Sequence, residues 1–361
     1  MVGLSSTSFE ELGGWPGVLG RLVAGDSLSA DEAESTFDQV LTGAATEAQT
    51  AALLIALRAK VETVDEIHGL VRAVLAHAEL VTIDGDLLDL VGTGGDRLGS
   101  INVTTLASFI TAGAGVPVCK HGNRAASGSV GSADVLEALG VAPDLGPVGV
   151  ARCVTEAGMG FCLAPRFHPG FRHAGPVRRQ LGVPTVFNFV GPLVNPTQPR
   201  YLLVGVSDPA MAEKMAGVLG SSGCRRAMVV YGDDGLDELS VTSPSTVVEL
   251  NGDGTDYELG TWRLDPADLG VPRATLADLF GGDAAFNAAA IRSVLGGRPG
   301  AHRDIGVLNA AAALVVVGRA DDLAAGMVLA GDALDSGSAA GVLARMIEVS
   351  QRERLAEGDA A

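Results

Sequence analysis

Gly115-Val-Pro-Val-Cys119 leads into Lys120-His-Gly-Asn-Arg-Ala-Ala-Ser-Gly-Ser-Val-Gly131, and Ser132-Ala-Asp-Val-Leu-Glu-Ala-Leu139 follows. An apolar run, a polar glycine-bearing loop and a helical pattern in that order read as a strand, a binding loop and a helix N-terminus. A strand handed to a helix through such a loop is the repeating unit of a parallel α/β sheet. Glycine frees backbone N–H groups toward a ligand, and the helix dipole adds partial positive charge, so the loop suits phosphate. Lysine occurs only at positions 60, 120 and 214, which makes Lys120 conspicuous at the head of this loop. The bland alternative is a solvated polar turn.

A second unit of the same kind stands upstream. Leu87-Leu-Asp-Leu-Val91 is a short apolar strand, and Gly92-Thr-Gly-Gly-Asp96 follows at once. A dinucleotide fingerprint needs glycine where Arg97 stands, and a Walker loop needs a Gly-Lys-Ser/Thr that the chain lacks. This is a glycine-rich turn of another kind. Asn102-Val-Thr-Thr105 then opens a helix over Leu106–Ala114. Asn102, Thr104 and Thr105 either cap that helix or turn an amide and hydroxyls toward the ligand; on the residues alone capping is the favoured role.

From these units to about residue 235, strands and helices alternate. Further strand candidates are Gly160–Leu163, Tyr201–Val206 and Ala227–Tyr231, with helices at Val148–Ala157 and Pro209–Leu219 among those between them. Ligands of such sheets bind outside the carboxyl ends of the strands, where both glycine-rich loops lie, so the loops can converge on one site. Residues 15–80 read differently. Ser29-Ala-Asp-Glu32, Thr46-Glu-Ala-Gln49 and Thr63-Val-Asp-Glu66 are capping boxes, each opening an apolar pattern of helical period. The expected architecture is a small N-terminal helical domain, residues 1–83, and a large α/β domain, residues 84–361, around a mostly parallel sheet.

Arg166-Phe-His-Pro-Gly-Phe-Arg-His-Ala-Gly-Pro-Val-Arg-Arg179 is a basic run in an acidic chain. It is either a solvated face or a cation cluster for a carboxylate-bearing substrate. Phe187–Pro196 reads as a short helix and a buried turn. Asp237 and Glu238 follow a strand end; they form an acidic turn, or the carboxylate pair that holds magnesium together with phosphate and water. Residues 245–265 look like a small β excursion turning at Asn251-Gly252. The remainder is helical, clearest over Asp283–Leu295, Ile305–Val317 and Ser336–Ile347, and the end, Arg352–Ala361, is expected to fray.

The formal charge of −18 argues against a broad nucleic-acid surface, although one local cation cluster can still hold an anionic ligand. Cys119, Cys153, Cys162 and Cys224 have no metal-like spacing and suit a reduced compartment. No apolar run reaches membrane-spanning length, and the N-terminal residues lack a signal-peptide pattern, so a cytoplasmic protein without membrane contact is expected.

Taken together the motifs resemble the anthranilate phosphoribosyltransferase family. Gly92-Thr-Gly-Gly-Asp96, Lys120-His-Gly-Asn-Arg124, Gly131-Ser-Ala-Asp134, Val186-Phe-Asn with Gly191-Pro-Leu, and Asp237-Glu-Leu-Ser240 occur in the family's order, within a match from about residue 16 to 350. The resemblance implies a fold shared with pyrimidine nucleoside phosphorylases, with a later helical segment near 169–181 joining the helical domain, and a homodimer. It implies transfer of the phosphoribosyl group of 5-phosphoribosyl 1-diphosphate (PRPP) to anthranilate, in tryptophan biosynthesis, with Mg²⁺, two ions per active site. It assigns PRPP to Gly92, Gly95, Asp96, Ser100, Asn102, Val103, Thr104, Thr105, Lys120, His121, Gly122, Asn123, Arg124, Ala125, Ala126, Ser127, Gly128 and Ser132. Thr104, Asp237 and Glu238 match the metal positions. Gly92, Asn123 and Arg178 match the anthranilate contacts, with His121 and Pro192 along the route, and Lys120, Asn123 and Arg178 are the expected catalytic set.

The chain departs from the commonest pattern at Arg97, Ile101, Thr104 (a hydroxyl kept in place of serine) and Gly128-Ser129-Val130, a change that removes side-chain donors near the phosphate. The alternatives are a nucleoside phosphorylase-like enzyme, for which a serine-bearing loop after Lys120 is expected, and a non-catalytic nucleic-acid-binding relative, which the charge opposes. The expected mechanism is positioning and charge stabilisation, with no single acid–base residue.

Overall fold

The computed structural model describes residues 8–94, 98–125 and 130–358. Four helices come first, Gly14–Ala24, Ala30–Leu41, Glu47–Lys60 and Val64–Ala76. The three capping boxes form in full: Ser29 with Glu32, Thr46 with Gln49 and Thr63 with Glu66. Each satisfies two backbone donors that the first turn would otherwise leave open, an effect of about 1 kcal/mol per cap.

Seven strands make one sheet: β1 Leu88–Gly92, β2 Val118–Gly122, β3 Met159–Leu163, β4 Tyr201–Gly205, β5 Arg226–Gly232, β6 Ser245–Gly252 and β7 Tyr257–Leu264. Their order is β3-β2-β1-β4-β5-β6-β7, the first five parallel and the last two antiparallel. The β excursion therefore extends the main sheet. Its turn lies beyond Asn251-Gly252, because Gly252 already pairs with Tyr257. Asp253 closes the turn instead, its carboxylate accepting from the Thr255 and Asp256 backbone N–H groups. β7 is the edge, and its exposed, polar-rich sequence Tyr-Glu-Leu-Gly-Thr-Trp-Arg-Leu discourages further strand pairing.

The central strands are buried on both faces, as a sheet covered by helices requires. One face packs Leu88, Leu90, Val118 and Leu203 against the helices Val103–Gly113 and Ala301–Val316. The other packs Val91, Leu202 and Val204 against the helix Ala212–Ser221, and the same apolar cluster continues into the N-terminal helices through Leu53, Ile67 and Leu70. The helix Phe171–Leu181 lies against Ala30–Leu41 and Glu47–Lys60.

The final helix runs Ser338–Gly358, so the expected fraying at Arg352 does not occur over its described residues. Glu353 is 3 % exposed and bonded to Arg152 at 2.6 Å, and Glu357 accepts from the Gly146 N–H at 2.9 Å. Those tertiary bonds hold a segment whose composition alone reads as a loose tail. All four cysteines are free and buried. Among the described residues no helix is long and apolar enough to cross a membrane.

Candidate active site

The strand order reverses direction beside β1: the chain moves from β1 to β2 on one side and later to β4 on the other. The crevice outside the carboxyl ends of β1 and β4 is therefore the place where a ligand fits. The described starts of both glycine-rich loops, Thr93-Gly94 after β1 and residues 123–125 after β2, lie at this end of the sheet. After β1, the Thr93 N–H donates to the Gly205 carbonyl at 2.9 Å, and the Ser207 N–H donates to the Thr93 hydroxyl at 3.2 Å. Glycine is required at two of these strand ends by close approach. A Cβ on Gly205 would stand 1.6 Å from the Asp237 carbonyl oxygen, and one on Gly92 would stand 2.6 Å from the Asp237 carboxylate. The segment carrying Asp237 and Glu238 is thus drawn across β1 and β4, and the Gly94 N–H donates to Asp237 Oδ2 at 2.8 Å.

Strand alternation divides the β2 side chains between two faces. Lys120, 2 % exposed, points toward the helix Val103–Gly113, with its Nζ donating to the Leu90 carbonyl at 2.5 Å and the Thr104 hydroxyl at 3.0 Å. Burial pushes its ammonium below the ordinary lysine range, while the charges of Asp89, Glu238 and Asp237 hold it up. Asp89 is fully buried and raised to about 6, because desolvation outweighs its neighbours. Those neighbours are Lys120, the Asn195 amide at 2.9 Å and the His121 N–H at 3.2 Å.

His121 faces the opposite way. Its Nδ1 lies 3.0 Å from the Gly191 carbonyl. A carbonyl only accepts, so Nδ1 carries the hydrogen and Nε2 is left as a bare lone pair, buried without a partner among the described residues. Burial pushes the imidazole down to about 3, so it is neutral at pH 7.

From His121 a chain of rings leads away from the sheet. His168 lies 5.1 Å from His121, Phe171 lies 5.2 Å from His168, and Phe187 lies 5.7 Å from Phe171. The guanidinium of Arg178 sits 5.4 Å over the Phe187 ring. Burial lowers its affinity for the proton, and no ion pair to Arg178 is found among the described residues. A partly desolvated guanidinium on an aromatic face, at one end of an aromatic path, is a receptor for a planar carboxylate. His168, Phe171 and Phe187, the rings that connect His121 with Arg178, had no role assigned from the sequence. The aromatic content of Phe167–Phe171 was the available signal, but the basic residues around it dominated the reading.

The loop after β2 is held by its own following helix. Asp134 Oδ2 accepts from the Ala125 and Gly131 N–H groups, each at 3.0 Å, and Arg124 bonds Glu137 at 2.7 Å. Arg124 is thereby committed to the helix surface. Asn123 is exposed, and its side-chain oxygen accepts from the Arg124 N–H. A Cβ on Gly122 would meet the Ser132 hydroxyl at 2.2 Å, which places Ser132 directly against the strand end.

Asn102 corrects the favoured capping role. It makes no cap bond to the helix Val103–Gly113; its amide instead spans Val130 and Asn287. Val103 and Thr105 are buried beneath the same turn, and Ser100 pairs with Phe280 in an isolated antiparallel bridge. Gly95, Asp96, Ala126, Ser127 and Gly128, expected to hold phosphate, lie outside the described residues.

Asp237 and Glu238 are 7 % and 8 % exposed. Their backbone is fixed by Asn309, a fully buried residue that accepts from the Leu239 N–H at 3.0 Å and donates to the Leu239 carbonyl at 2.9 Å. No group of three or more His, Cys, Asp or Glu able to enclose a metal is present among the described residues. Two carboxylates with a nearby hydroxyl are the donor set that fits magnesium completed by substrate phosphate and water, since that ion seldom takes an all-protein cage.

Comparison with known proteins places the chain in a family. The helical bundle domain of a glycosyl transferase family matches residues 16–78, and the a/b domain of a glycosyl transferase family matches residues 84–340. Anthranilate phosphoribosyltransferase of Salinispora arenicola is 52 % identical over 349 residues, covering 94 % of this chain and 98 % of the relative. The crystal structure of anthranilate phosphoribosyltransferase from Thermus thermophilus superposes with a TM-score of 0.86 at 39 % identity, covering 92 % of this chain and 99 % of that one. The Saccharomyces cerevisiae enzyme in complex with PRPP and Mg gives 0.84 at 26 % identity, covering 94 % and 98 %.

Proposed function

The chain belongs to the anthranilate phosphoribosyltransferase family, and from that premise we propose which of its residues carry each part of the reaction. The enzyme transfers the phosphoribosyl group of PRPP to the amino nitrogen of anthranilate, giving N-(5-phosphoribosyl)anthranilate and diphosphate, in tryptophan biosynthesis. At ribose C1 the bond to the diphosphate oxygen breaks, the bond to nitrogen forms, and the nitrogen releases one proton, which ends in solvent. An aryl amine is neutral and nucleophilic at pH 7, so the harder problem is the charge left on the diphosphate. Lys120 and the backbone N–H groups of the two glycine-rich loops stabilise that charge. Gly92, Gly95, Asp96, Ser100, Asn102, Val103, Thr104, Thr105, the segment 120–128, with the Arg124 guanidinium turned to Glu137, and Ser132 form the PRPP side.

Magnesium, when bound, neutralises the diphosphate and polarises the leaving oxygen. Asp237, Glu238 and the Thr104 hydroxyl are the residues we assign to it, with two ions per site. Arg178 pairs with the anthranilate carboxylate and Asn123 stands between the two substrates, holding the amine near C1, a proximity effect worth several kcal/mol. His121 and Pro192 line the route between them. His121, neutral at pH 7, supplies a wall and an acceptor, with no charge of its own.

The observation that carries this assignment is the aromatic path from Arg178, which has no ion pair among the described residues, to His121, adjacent in sequence to Lys120. We also assign residues 1–83 to a helical domain joined by the segment 169–181, residues 84–361 to the catalytic domain, and the working form to a cytoplasmic homodimer without nucleic-acid or membrane partners. The gap between the two family matches, residues 79–83, and the net charge of −18 support that reading. The test is the loss of anthranilate fluorescence on adding PRPP and Mg²⁺ to purified protein. A steady signal at micromolar enzyme would refute the reaction.

A further inference from the structure

Asn102 and Asn287 are 185 residues apart and join in one amide relay. The Gly282 N–H donates to Asn287 Oδ1 at 2.8 Å, Asn287 Nδ2 donates to Asn102 Oδ1 at 3.0 Å, and Asn102 Nδ2 donates to the Val130 carbonyl at 2.9 Å. A side-chain amide can ordinarily be turned end for end, since its nitrogen and oxygen have the same shape. Here both ends of the relay are backbone groups with fixed roles. Gly282 N–H can only donate, so Asn287 must present its oxygen there and its nitrogen to Asn102. Asn102 then has to meet that donor with its oxygen, which leaves its NH₂ facing the glycine-rich loop. Reversing either amide would set two acceptors, or two donors, against each other.

The relay is built tightly. Asn287 is 2 % exposed, in the first turn of the helix Ala284–Leu295. It reaches Gly282 across Gly281, where a Cβ would stand 2.6 Å from Asn287 Oδ1. The same strip is tied to the phosphate side by the Gly281 N–H donating to the Gly99 carbonyl at 2.8 Å and the Ile101 N–H donating to the Leu279 carbonyl at 3.1 Å.

We propose that Asn287 is a positioning residue for the phosphoribosyl donor: it fixes the polarity of the Asn102 amide so that PRPP meets a hydrogen-bond donor there. Phosphate oxygens only accept, so the opposite amide orientation would repel the ligand that the wild-type orientation binds. The inference rests on the reading that Asn102 holds PRPP.

The experiment compares Asn102→Ala, Asn287→Leu and Asn287→Asp. Steady-state KM values for PRPP and for anthranilate are measured, along with calorimetric binding of Mg²⁺–PRPP and thermal unfolding. Asn287→Leu keeps the branched skeleton and removes the orientation. Asn287→Asp keeps the acceptor for Gly282, removes the donor to Asn102, and serves if the leucine variant does not fold. Each is expected to weaken PRPP on the order of fivefold, the effect of one neutral hydrogen bond, with the anthranilate KM changed less than about twofold. An unchanged PRPP KM in both Asn287 variants, with a raised one in Asn102→Ala, would overturn the relay and leave the PRPP assignment standing. An unchanged PRPP KM in Asn102→Ala would overturn that assignment and the relay with it. A fall in melting temperature with both KM values shifted together would reduce Asn287 to a structural residue.

Discussion

Lowering the pH from 7 to 5 should destabilise this protein through two buried imidazoles. His121 and His168 are 2 % and 3 % exposed, and burial holds them down to about 3 and about 4, from an ordinary 6.5. A histidine with a depressed native pKa stabilises the fold above its unfolded value, and that contribution is lost as the pH falls toward the native value. At pH 5 the unfolded chain has protonated each ring while the folded protein has not. The loss is therefore about 2 kcal/mol per histidine and about 4 for the pair. Asp89 acts in the opposite direction. Its carboxyl is raised to about 6, so over the same interval the folded state takes up a proton that the unfolded chain still lacks, which returns about 1 kcal/mol. The net loss from these three groups is roughly 3 kcal/mol. To isolate one histidine, denaturant midpoints of the parent and of His168→Leu are compared at both pH values. Leucine has nearly the volume of histidine and does not titrate, so the variant should lose about 2 kcal/mol less than the parent between pH 7 and pH 5. Equal losses in the two proteins would refute a neutral, buried His168. Any packing defect from the leucine shifts both pH values alike and drops out of the difference.

Arg178→Ala should raise the anthranilate KM roughly ten- to a hundredfold, the range for losing a charge-assisted hydrogen bond, and leave the melting temperature almost unchanged because no carboxylate among the described residues is orphaned. Steady-state kinetics with thermal melts check both halves, and unaltered anthranilate kinetics would remove Arg178 from the acceptor site. Gly205→Ala places a methyl where the Asp237 carbonyl now lies, so the Asp237-Glu238 segment must move. Stability should fall by about 1–3 kcal/mol, and half-maximal activity should require several times more Mg²⁺. A magnesium titration indistinguishable from the parent would show that this segment does not set the metal dependence.

The sequence by itself determined what depends on neighbours a few residues apart. The capping boxes at Ser29, Thr46 and Thr63 form because each side chain needs only the backbone three residues on. The two glycine-rich loops were legible as strand-to-helix turns, but Lys120 and His121, expected in the second loop, belong to β2, whose alternation sends them to opposite faces. Even the acceptor's identity came from ordered motifs along the chain, through resemblance; no physical property of the Lys120 loop points to anthranilate. Tertiary structure decided what depends on distant partners. Asn102 looked like a helix cap because capping is the local option, and it was drawn away by Asn287, 185 residues later. The turn at Asn251-Gly252 gave way to one closed by Asp253, because pairing with β7 extends the strand through Gly252. The final helix persists through Gly358 because Arg152 and the Gly146 N–H bind its glutamates. The aromatic path to Arg178 joins β2, the segment after β3 and the short helix Phe187–Val190, and no spacing in the sequence encodes that meeting. Local periodicity specifies elements because their bonds close within a few residues. The site exists only once strand order has brought the ends of β1, β2 and β4 together.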